Sequence, residues 1–325
     1  MQEYGPARSD DVLAALDLGT NNCRLLVARP ERGGGFRVID AFSRIVRLGE
    51  GLGRSGRLTE EAIDRTLDAL RVCSAKMRRR RVTRFRAVAT EACRRAGNGE
   101  AFLDQVKRET GLTLEVISTQ EEAGLAFAGC RPLLEPDVPG ALVFDIGGGS
   151  TELAWARSGT VERMIDATSM PIGVVTLAER HGGDRYGDGA YEVMITEVVD
   201  ALASFEVEHA IADQVILGRV QMVGTSGTVT TLAGVWLDLP RYVRDKVDGV
   251  FLDVTETMAI GRRLAAQSFD ERAAHPCIGR ERADLVVAGC AILEAICRTW
   301  RVPRLRVADR GVREGILFGL LAGRS

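Results

Sequence analysis

Two aspartates each end an apolar strand and directly precede a glycine turn. Residues 13–16 lead into Asp17 of LDLGTNNC, and residues 141–144 lead into Asp145 of FDIGGGST. A third turn, GTSGT at 224–228, carries glycines and hydroxyls without a carboxylate. Glycine turns can point successive backbone N–H groups at one anion, because no Cβ blocks the approach. The turns therefore predict phosphate binding, with tight structural turns as the alternative.

The aspartates suggest a metal ion. A bare carboxylate repels phosphate, so the arrangement makes chemical sense if Mg²⁺ lies between the two charges. We expect Asp145 to be a metal ligand, directly or through water, with Asp17 in support; hydrogen bonding within the turn is the alternative for each. Glu152 follows near the start of the next strand. It could reach the water shell of the metal or be a solvated strand residue.

A general base is predicted in the segment VISTQEEAGLAF, residues 116–127, which is typical of a strand followed by a helix start. Ser118 and Glu121 have the spacing of a capping box, which gives Glu121 a local structural role. Glu122 is not needed for the cap. We predict that it holds the water that attacks a terminal phosphorus, with a solvated helix carboxylate as the alternative.

Basic residues offer two further candidates. Arg94, in TEACRR just after a predicted strand, could bind a phosphate through two parallel hydrogen bonds or be a solvated arginine. The run KMRRRR at 76–81 favours a solvated helix end, although it could also steer a polyanion.

The elements that must position these groups alternate between strands and helices. Apolar patterns and turn residues predict strands at 13–16, 24–28, 36–47, 85–89, 112–117 and 215–223. Capping residues and helical periodicity predict helices from a Thr59 cap to about residue 80, at 101–110 before Gly111, and at 121–130. A strand, a turn at 309–311 and a last helix are expected at the end.

The chain contains a predicted internal duplication. LDLGTNNCRLLVAR at 16–29 and FDIGGGSTELAWAR at 144–157 align without a gap, which places Asp145 on Asp17. The second copy starts after a linker with three prolines. We therefore predict two related α/β domains, 1–133 and 134–325, each presenting an acidic turn to a shared cleft. The last helix could pack back on the first domain.

Composition sets the class of protein. The 325 residues are 46% apolar and 27% charged, which is typical of a globular chain with two domains. The net charge of −2 argues against general attraction to nucleic acid or to membranes. Seven cysteines without a C-x-x-C pair predict reduced thiols and a cytoplasmic location. We see no secretory signal and no apolar run long enough for a membrane helix.

The motifs together resemble a known family. DLGTNNCRLLV, TEACRRAGN, ISTQEEA, DIGGGSTEL, GTSGT and RGVREGIL, in this order, resemble the exopolyphosphatase and guanosine-pentaphosphate phosphohydrolase family from residue 11 onwards. Longer relatives carry an additional C-terminal helical module, and the sequence, which ends at Ser325, is expected to be a short form. The resemblance implies two ribonuclease-H-like domains of the actin, sugar kinase and heat-shock chaperone ATPase type, with an interdomain cleft.

The resemblance also implies roles for single residues. Glu122 would be the catalytic base, and Asp145 and Glu152 would bind Mg²⁺, with K⁺ as a candidate activator. The positions that match the phosphate-binding loops of the family are Asp17, Thr20, Asn21, Arg94, Gly147, Gly148, Ser150, Gly224, Ser226 and Gly227.

The expected reaction is hydrolysis of a terminal phosphoanhydride bond. Inorganic polyphosphate and pppGpp are the competing substrates, and polyphosphate is favoured because no aromatic guanine pocket is readable in the sequence. A kinase of the same superfamily and a non-catalytic sensor of these ligands are the alternatives. The resemblance implies a homodimer, and we expect neither nucleic acid nor membrane as a partner.

Overall fold

A computed structural model describes residues 5–159, 162–183, 186–187 and 189–323. The chain divides into two compact units, residues 1–129 with 312–325 (unit 1) and residues 130–311 (unit 2). The predicted domain boundary at 133/134 lies a few residues after this division. The structure assigns the last helix to unit 1, an option that the sequence left open. Residues 1–4 and 324–325 of the predicted domains lie outside the described residues.

Unit 1 contains one sheet and its flanking helices. Its strands are β1 Leu13–Leu18, β2 Asn22–Pro30, β3 Phe36–Ile45, β4 Arg84–Ala89 and β5 Glu115–Val116. Its helices are α1 Leu52–Ser55, α2 Glu60–Arg79, α3 Glu91–Arg95, α4 Gly99–Thr110 and α5 Thr119–Cys130, whose last residue belongs to unit 2.

Unit 2 has more helices around a larger sheet. Its strands are β6 Gly140–Ile146, β7 Thr151–Arg157, β8 Arg163–Met170, β9 Val220–Thr225, β10 Phe251–Asp253 and β11 Arg304–Ala308. Its helices are α6 Val174–His181, α7 Ala190–His209, α8 Ile211–Ile216, α9 Gly227–Trp236, α10 Arg244–Val247, α11 Val254–Ala266, α12 Phe269–Ala274 and α13 Val286–Thr299. The last helix of the chain, α14 Val312–Leu321, belongs to unit 1.

The two sheets repeat one topology. The strand order in unit 1 is β3-β2-β1-β4-β5, in which β1, β2 and β3 are antiparallel neighbours and β4 and β5 run parallel to β1. Unit 2 has the order β8-β7-β6-β9-β11, with β10 added antiparallel at the edge. The α/β class with two ribonuclease-H-like sheets is therefore confirmed. Asp17 and Asp145 occupy equivalent places on the central strands β1 and β6.

Both faces of β1 are buried, which explains its uninterrupted apolar sequence. Leu13 and Ala15 pack in one core with helices α5 and α14, whereas Ala14, Leu16 and Leu18 pack in another with α2 and α4. Helices thus cover both faces of the sheet in unit 1.

Two local predictions are confirmed. Thr59 caps α2 by accepting a hydrogen bond from the Ala62 N–H, and Gly111 ends α4 in the left-handed conformation that favours glycine.

The basic run at the end of α2 forms ion pairs, which a purely solvated helix end would not do. Lys76, Arg79 and Arg80 all pair with Asp40 of β3, and the Lys76 hydrogen bond is the main reason why the pKa of Asp40 lies well below its usual range.

Two predicted strands are wrong in their extent. Only residues 115–116 of the predicted strand 112–117 form a ladder, which pairs them with Val88 and Ala89, the last two residues of β4. The strand predicted from residue 215 starts at Val220 instead. Residues 215–216 end helix α8, and Gly218 then makes a left-handed turn with φ 68°, which an extended strand cannot contain.

Helices α5 and α14 cross closely at Gly315. A Cβ on Gly315 would overlap the carbonyl oxygen of Leu125 in α5, which belongs to the backbone and cannot rotate away. We expect Gly315→Ala to lower the free energy of unfolding by about 1–3 kcal/mol, measured by urea denaturation. Gly35→Ala is the control, because a Cβ there meets nothing within 4 Å. Equal stability of the two variants would contradict this packing.

Within the described part of the chain, no helix combines the length and apolarity needed to cross a membrane.

Candidate functional site

The glycine loop between β6 and β7 is held against the start of helix α6. The N–H of Gly147 donates to the Ser150 carbonyl at 2.9 Å and closes the turn. The carbonyls of Gly147 and Gly148 accept hydrogen bonds from the N–H groups of Val174 and Val175, at 3.0 and 2.8 Å. The first N–H groups of α6 therefore bind the loop itself, which fixes its position.

Two consecutive backbone N–H groups of the loop take no part in these hydrogen bonds. Across the residues that the structure describes, the N–H groups of Gly148 and Gly149 have no hydrogen-bond acceptor. Their carbonyls face helix α6 and residue Thr176, whose hydroxyl contacts the Gly149 carbonyl at 3.4 Å. Successive amides without an acceptor are the groups from which concave anion sites are built.

The hydroxyls of this loop are already engaged. Ser150 donates to Oε1 of Glu152 at 2.6 Å, and Ser169 of β8 donates to the same oxygen at 2.9 Å. The Thr151 hydroxyl donates to the Ile172 carbonyl at 2.7 Å. Both hydroxyls therefore donate to protein groups, and Ser150 orients Glu152; phosphate binding by Ser150 stays a prediction.

Asp145 and Glu152 stand opposite each other in the register of β6 and β7. Glu152 is only 2% exposed. A Cβ on Gly147 would lie 3.9 Å from its Oε2, and a Cβ on Gly311 would lie 3.7 Å from Oδ2 of Asp145. Two carboxylates with room beside glycines form an oxygen-only donor set, which fits Mg²⁺ better than a softer metal. The residues present therefore fit the predicted metal.

The third glycine turn carries backbone strain. Ser226 has φ 128° and ψ 170°, a region that is populated almost only by glycine. Its hydroxyl oxygen caps α9 by accepting from the N–H groups of Thr228 and Val229, at 3.1 and 3.3 Å. The Gly227 N–H has no acceptor among the described residues. Strain of this kind clusters at ligand-binding loops, which supports the phosphate prediction for Ser226 and Gly227.

Gly224 has a packing role. It lies within β9, where a Cβ would come within 2.6 Å of the Phe144 ring. The core therefore requires glycine here, and the structure gives no separate sign that Gly224 contacts a ligand.

In unit 1, the predicted base lies in the first turn of α5 and is buried. Glu122 is 9% exposed, and its Oε2 accepts a hydrogen bond from Nη1 of Arg94 at 2.8 Å. The same Nη1 also donates to the Ile117 carbonyl at 2.8 Å, and Nη2 of Arg94 donates to Glu91 at 3.0 Å. Arg94 is thus held between two carboxylates. Burial lowers the pKa of Arg94, but Glu122 and Glu91 outweigh it, so this pKa lies above its usual value.

The neighbouring Glu121 forms only half of the predicted capping box. Its N–H donates to the Ser118 hydroxyl at 3.1 Å, which caps the helix, and its carboxylate pairs with Arg86. Two adjacent glutamates on one helix therefore have separate environments, and only Glu122 contacts Arg94.

The first turn, in unit 1, is closed by the loop that follows β3. The carbonyls of Thr20 and Asn21 accept hydrogen bonds from the N–H groups of Gly49 and Val46, at 2.9 Å each. Burial raises the pKa of Asp17; Arg24 and Arg313 oppose this shift and Glu314 adds to it. The side-chain oxygen Oδ1 of Asn21 is buried and has no partner among the described residues. An orphaned buried acceptor commonly marks a ligand or ion site.

Three residues of these sites were not predicted from the sequence. Glu91 stands three residues before Arg94, a helical spacing that could have indicated the pair. Ser169 contacts Glu152 and Gly173 contacts the glycine loop of unit 2, both from a later stretch of chain, and no local pattern marks them.

These features define a class of protein: a duplicated α/β chain with glycine loops suited to phosphate and oxygen-only carboxylates suited to Mg²⁺. Residues 26–323 match the Ppx/GppA phosphatase family, and the chain belongs to this family.

Relatives agree with this assignment. The chain is 32% identical to the guanosine-5'-triphosphate,3'-diphosphate pyrophosphatase of Aeromonas salmonicida over 95% of its own length and 59% of that protein. It thus spans about three fifths of the length of the Aeromonas relatives.

Two crystal structures are similar over nearly their whole length. The Aquifex aeolicus member of the Ppx/GppA family is 30% identical, with a TM-score of 0.78 and coverage of 96% of this chain and 97% of that one. An exopolyphosphatase from Cytophaga hutchinsonii is 26% identical, with a TM-score of 0.86 and coverage of 97% and 99%.

Proposed function

We propose that the protein hydrolyses the terminal phosphoanhydride bond of inorganic polyphosphate and releases orthophosphate. The observation that carries the proposal is the pair of amides of Gly148 and Gly149, which have no acceptor among the described residues and lie on the loop that joins the strands of Asp145 and Glu152. Free amides bind phosphate oxygens, and an oxygen-only carboxylate pair suits the Mg²⁺ that such substrates carry.

Each of these groups has its own role in the proposed reaction. The amides of Gly148, Gly149 and Gly227 bind phosphoryl oxygens and orient the chain end. Glu122 orients a water molecule for in-line attack on the terminal phosphorus and takes its proton, while the bond to the bridging oxygen breaks and the shortened chain leaves. Mg²⁺, when bound at Asp145 and Glu152, supplies positive charge for the phosphate chain. Catalysis of this kind depends mainly on positioning and electrostatics.

Two substrates, inorganic polyphosphate and pppGpp, remain to be distinguished by experiment. The names of the relatives include both a guanosine pentaphosphate hydrolase and an exopolyphosphatase, so pppGpp is the second candidate. Phosphate release from polyphosphate and from pppGpp, measured side by side at equal enzyme concentration, distinguishes them. A higher kcat/KM for polyphosphate supports the proposal, and activity on pppGpp alone overturns the choice of substrate. Binding of either ligand without Mg²⁺-dependent phosphate release would indicate a sensor.

The metal assignment makes a separate prediction. We expect Asp145→Asn to raise the Mg²⁺ concentration needed for half-maximal phosphate release by at least roughly tenfold, because one charged oxygen ligand becomes neutral. A magnesium titration at saturating polyphosphate measures this shift, with Asp137→Asn, an exposed position, as the control. An unchanged magnesium requirement would remove Asp145 from the metal site. The same assay with and without K⁺ tests K⁺ as an activator.

Location and assembly complete the proposal. All seven cysteines are free thiols, as proteins of reducing compartments have them, and we propose a cytoplasmic homodimer. Light scattering coupled to size-exclusion chromatography tests the dimer.

A further inference from the structure

We propose that Glu91 is a positioning residue of the active site: it holds Arg94, and Arg94 in turn orients Glu122. The inference rests on the proposed function, because it assigns Glu122 the role of base. It also changes the role of Arg94, which the sequence suggested as a clamp for phosphate.

The contacts form a chain of three side chains. Glu91 accepts from Nη2 of Arg94 at 3.0 Å, and Glu122 accepts from Nη1 at 2.8 Å. The Ile117 carbonyl accepts a second bond from Nη1, also at 2.8 Å. These bonds use both terminal nitrogens of the guanidinium, and its plane is therefore fixed from two sides.

The fold places the three residues with little freedom. Glu91 and Arg94 lie one turn apart on α3, directly after β4, and Glu122 lies in the first turn of α5, after β5. Strands β4 and β5 are parallel neighbours, so their following helices begin at the same edge of the sheet. In α3, which has five residues, the charge of Glu91 has a specific partner rather than a general role in helix stability.

The burial of these side chains distinguishes the pairing of Arg94 with Glu91 and Glu122 from a surface contact. Glu91 and Glu122 are 8% and 9% exposed, and the Arg94 side chain is 16% exposed. A buried carboxylate needs a partner, because taking an unpaired charge out of water costs several kcal/mol. A single Glu122–Arg94 pair would satisfy both groups. The second carboxylate occupies Nη2 of Arg94, which disfavours a two-bond contact of this guanidinium with phosphate.

The two roles of Arg94 predict different kinetics. If Arg94 clamps phosphate, losing Glu91 frees the guanidinium for substrate, so KM falls and kcat is retained. If Arg94 positions Glu122, losing Glu91 allows the guanidinium to rotate. Glu122 is then oriented less precisely, so kcat falls. We expect Glu91→Gln to lower kcat about tenfold or more, because a shift of 1 Å in a catalytic group can cost roughly a hundredfold. KM should change little.

Conservative and control variants make the test specific. Glu91→Asp keeps the charge and should restore part of kcat relative to Glu91→Gln. Arg95→Gln removes the other cation near Glu91, whose Nε lies 3.7 Å away and whose side chain is 41% exposed, and should leave kcat unchanged. A large loss of kcat in Arg95→Gln, or a change in KM alone in Glu91→Gln, would overturn the inference.

A readout without turnover separates this inference from the proposed function. Nitrogen-15 NMR of the arginine guanidinium groups reports whether rotation of Arg94 is hindered, with Arg94→Lys for assignment. We expect separate Nη1 and Nη2 signals in the wild type and averaged signals in Glu91→Gln. If the wild type hydrolyses neither substrate, the proposed function fails, and the NMR alone decides whether Glu91 anchors Arg94. Unchanged signals in a folded Glu91→Gln variant would show that it does not.

Discussion

Replacing Glu122 by glutamine should reduce kcat by about 10²–10⁴-fold while polyphosphate binding persists. This range is the usual contribution of a positioned general base. Glutamine has nearly the same shape, and its amide oxygen can still accept from Nη1 of Arg94, a bond of 2.8 Å in the structure. It cannot take the proton of the attacking water. The chemical step is therefore lost, whereas the loop amides that hold the substrate are untouched.

Glu121→Gln is the matched control for this variant. Both glutamates lie in the first turn of α5, but Glu121 pairs with Arg86 and its side chain is 41% exposed. Phosphate release by Glu121→Gln should stay close to the wild-type rate. Single-turnover phosphate release and equilibrium binding of polyphosphate should both be measured, because together they separate chemistry from affinity. Native kcat in Glu122→Gln, or equal losses in both variants, would remove Glu122 as the base.

The sequence predicted the parts of this protein whose signals are local. The strand that ends in Asp17, the cap at Thr59, the stop at Gly111 and the cap at Ser118 are all found where the pattern placed them. Each depends on residues a few positions apart, so propensity and capping chemistry are sufficient. The duplication was visible for the same reason, because the two strand-turn-strand segments align without a gap.

Predictions that depend on distant pairing were less complete. Only two residues of the strand expected at 112–117 pair with β4, although β4 itself begins at Arg84. The last helix joins unit 1, where four of its apolar residues pack in the core and Gly315 lies against Leu125 of α5. Neither outcome depends on residues that are close in sequence, so the three-dimensional contacts are needed to see it.

The candidate sites show the same division. Glycines and acids marked the loops, but they did not reveal which groups were free to bind. The hydroxyl of Ser150 is used by Glu152, whereas the strain at Ser226 supports a ligand role that its residue type alone could not establish. The sequence identified candidate residues; the hydrogen bonds show which of their groups already contact other protein groups.

Gly173→Ala should strongly lower kcat/KM for polyphosphate. Gly173 has φ −126° and ψ 177°, a conformation that alanine adopts without strain. A Cβ there, however, would lie 2.5 Å from the carbonyl carbon and oxygen of Gly148 and 2.6 Å from the Gly149 nitrogen. These atoms belong to the backbone of the glycine loop, so the loop must move.

The displaced loop would no longer aim the amides of Gly148 and Gly149 at one phosphate. We expect kcat/KM for polyphosphate to fall roughly a hundredfold, mainly through KM, since misplacement of a binding group by about 1 Å has effects of this size. The free energy of unfolding should fall by only about 1–3 kcal/mol. The control is Gly187→Ala, where a Cβ meets nothing within 4 Å. The magnesium requirement should persist, because Asp145 and Glu152 stand on strands. A folded Gly173→Ala variant with unchanged KM would show that this loop does not hold the substrate.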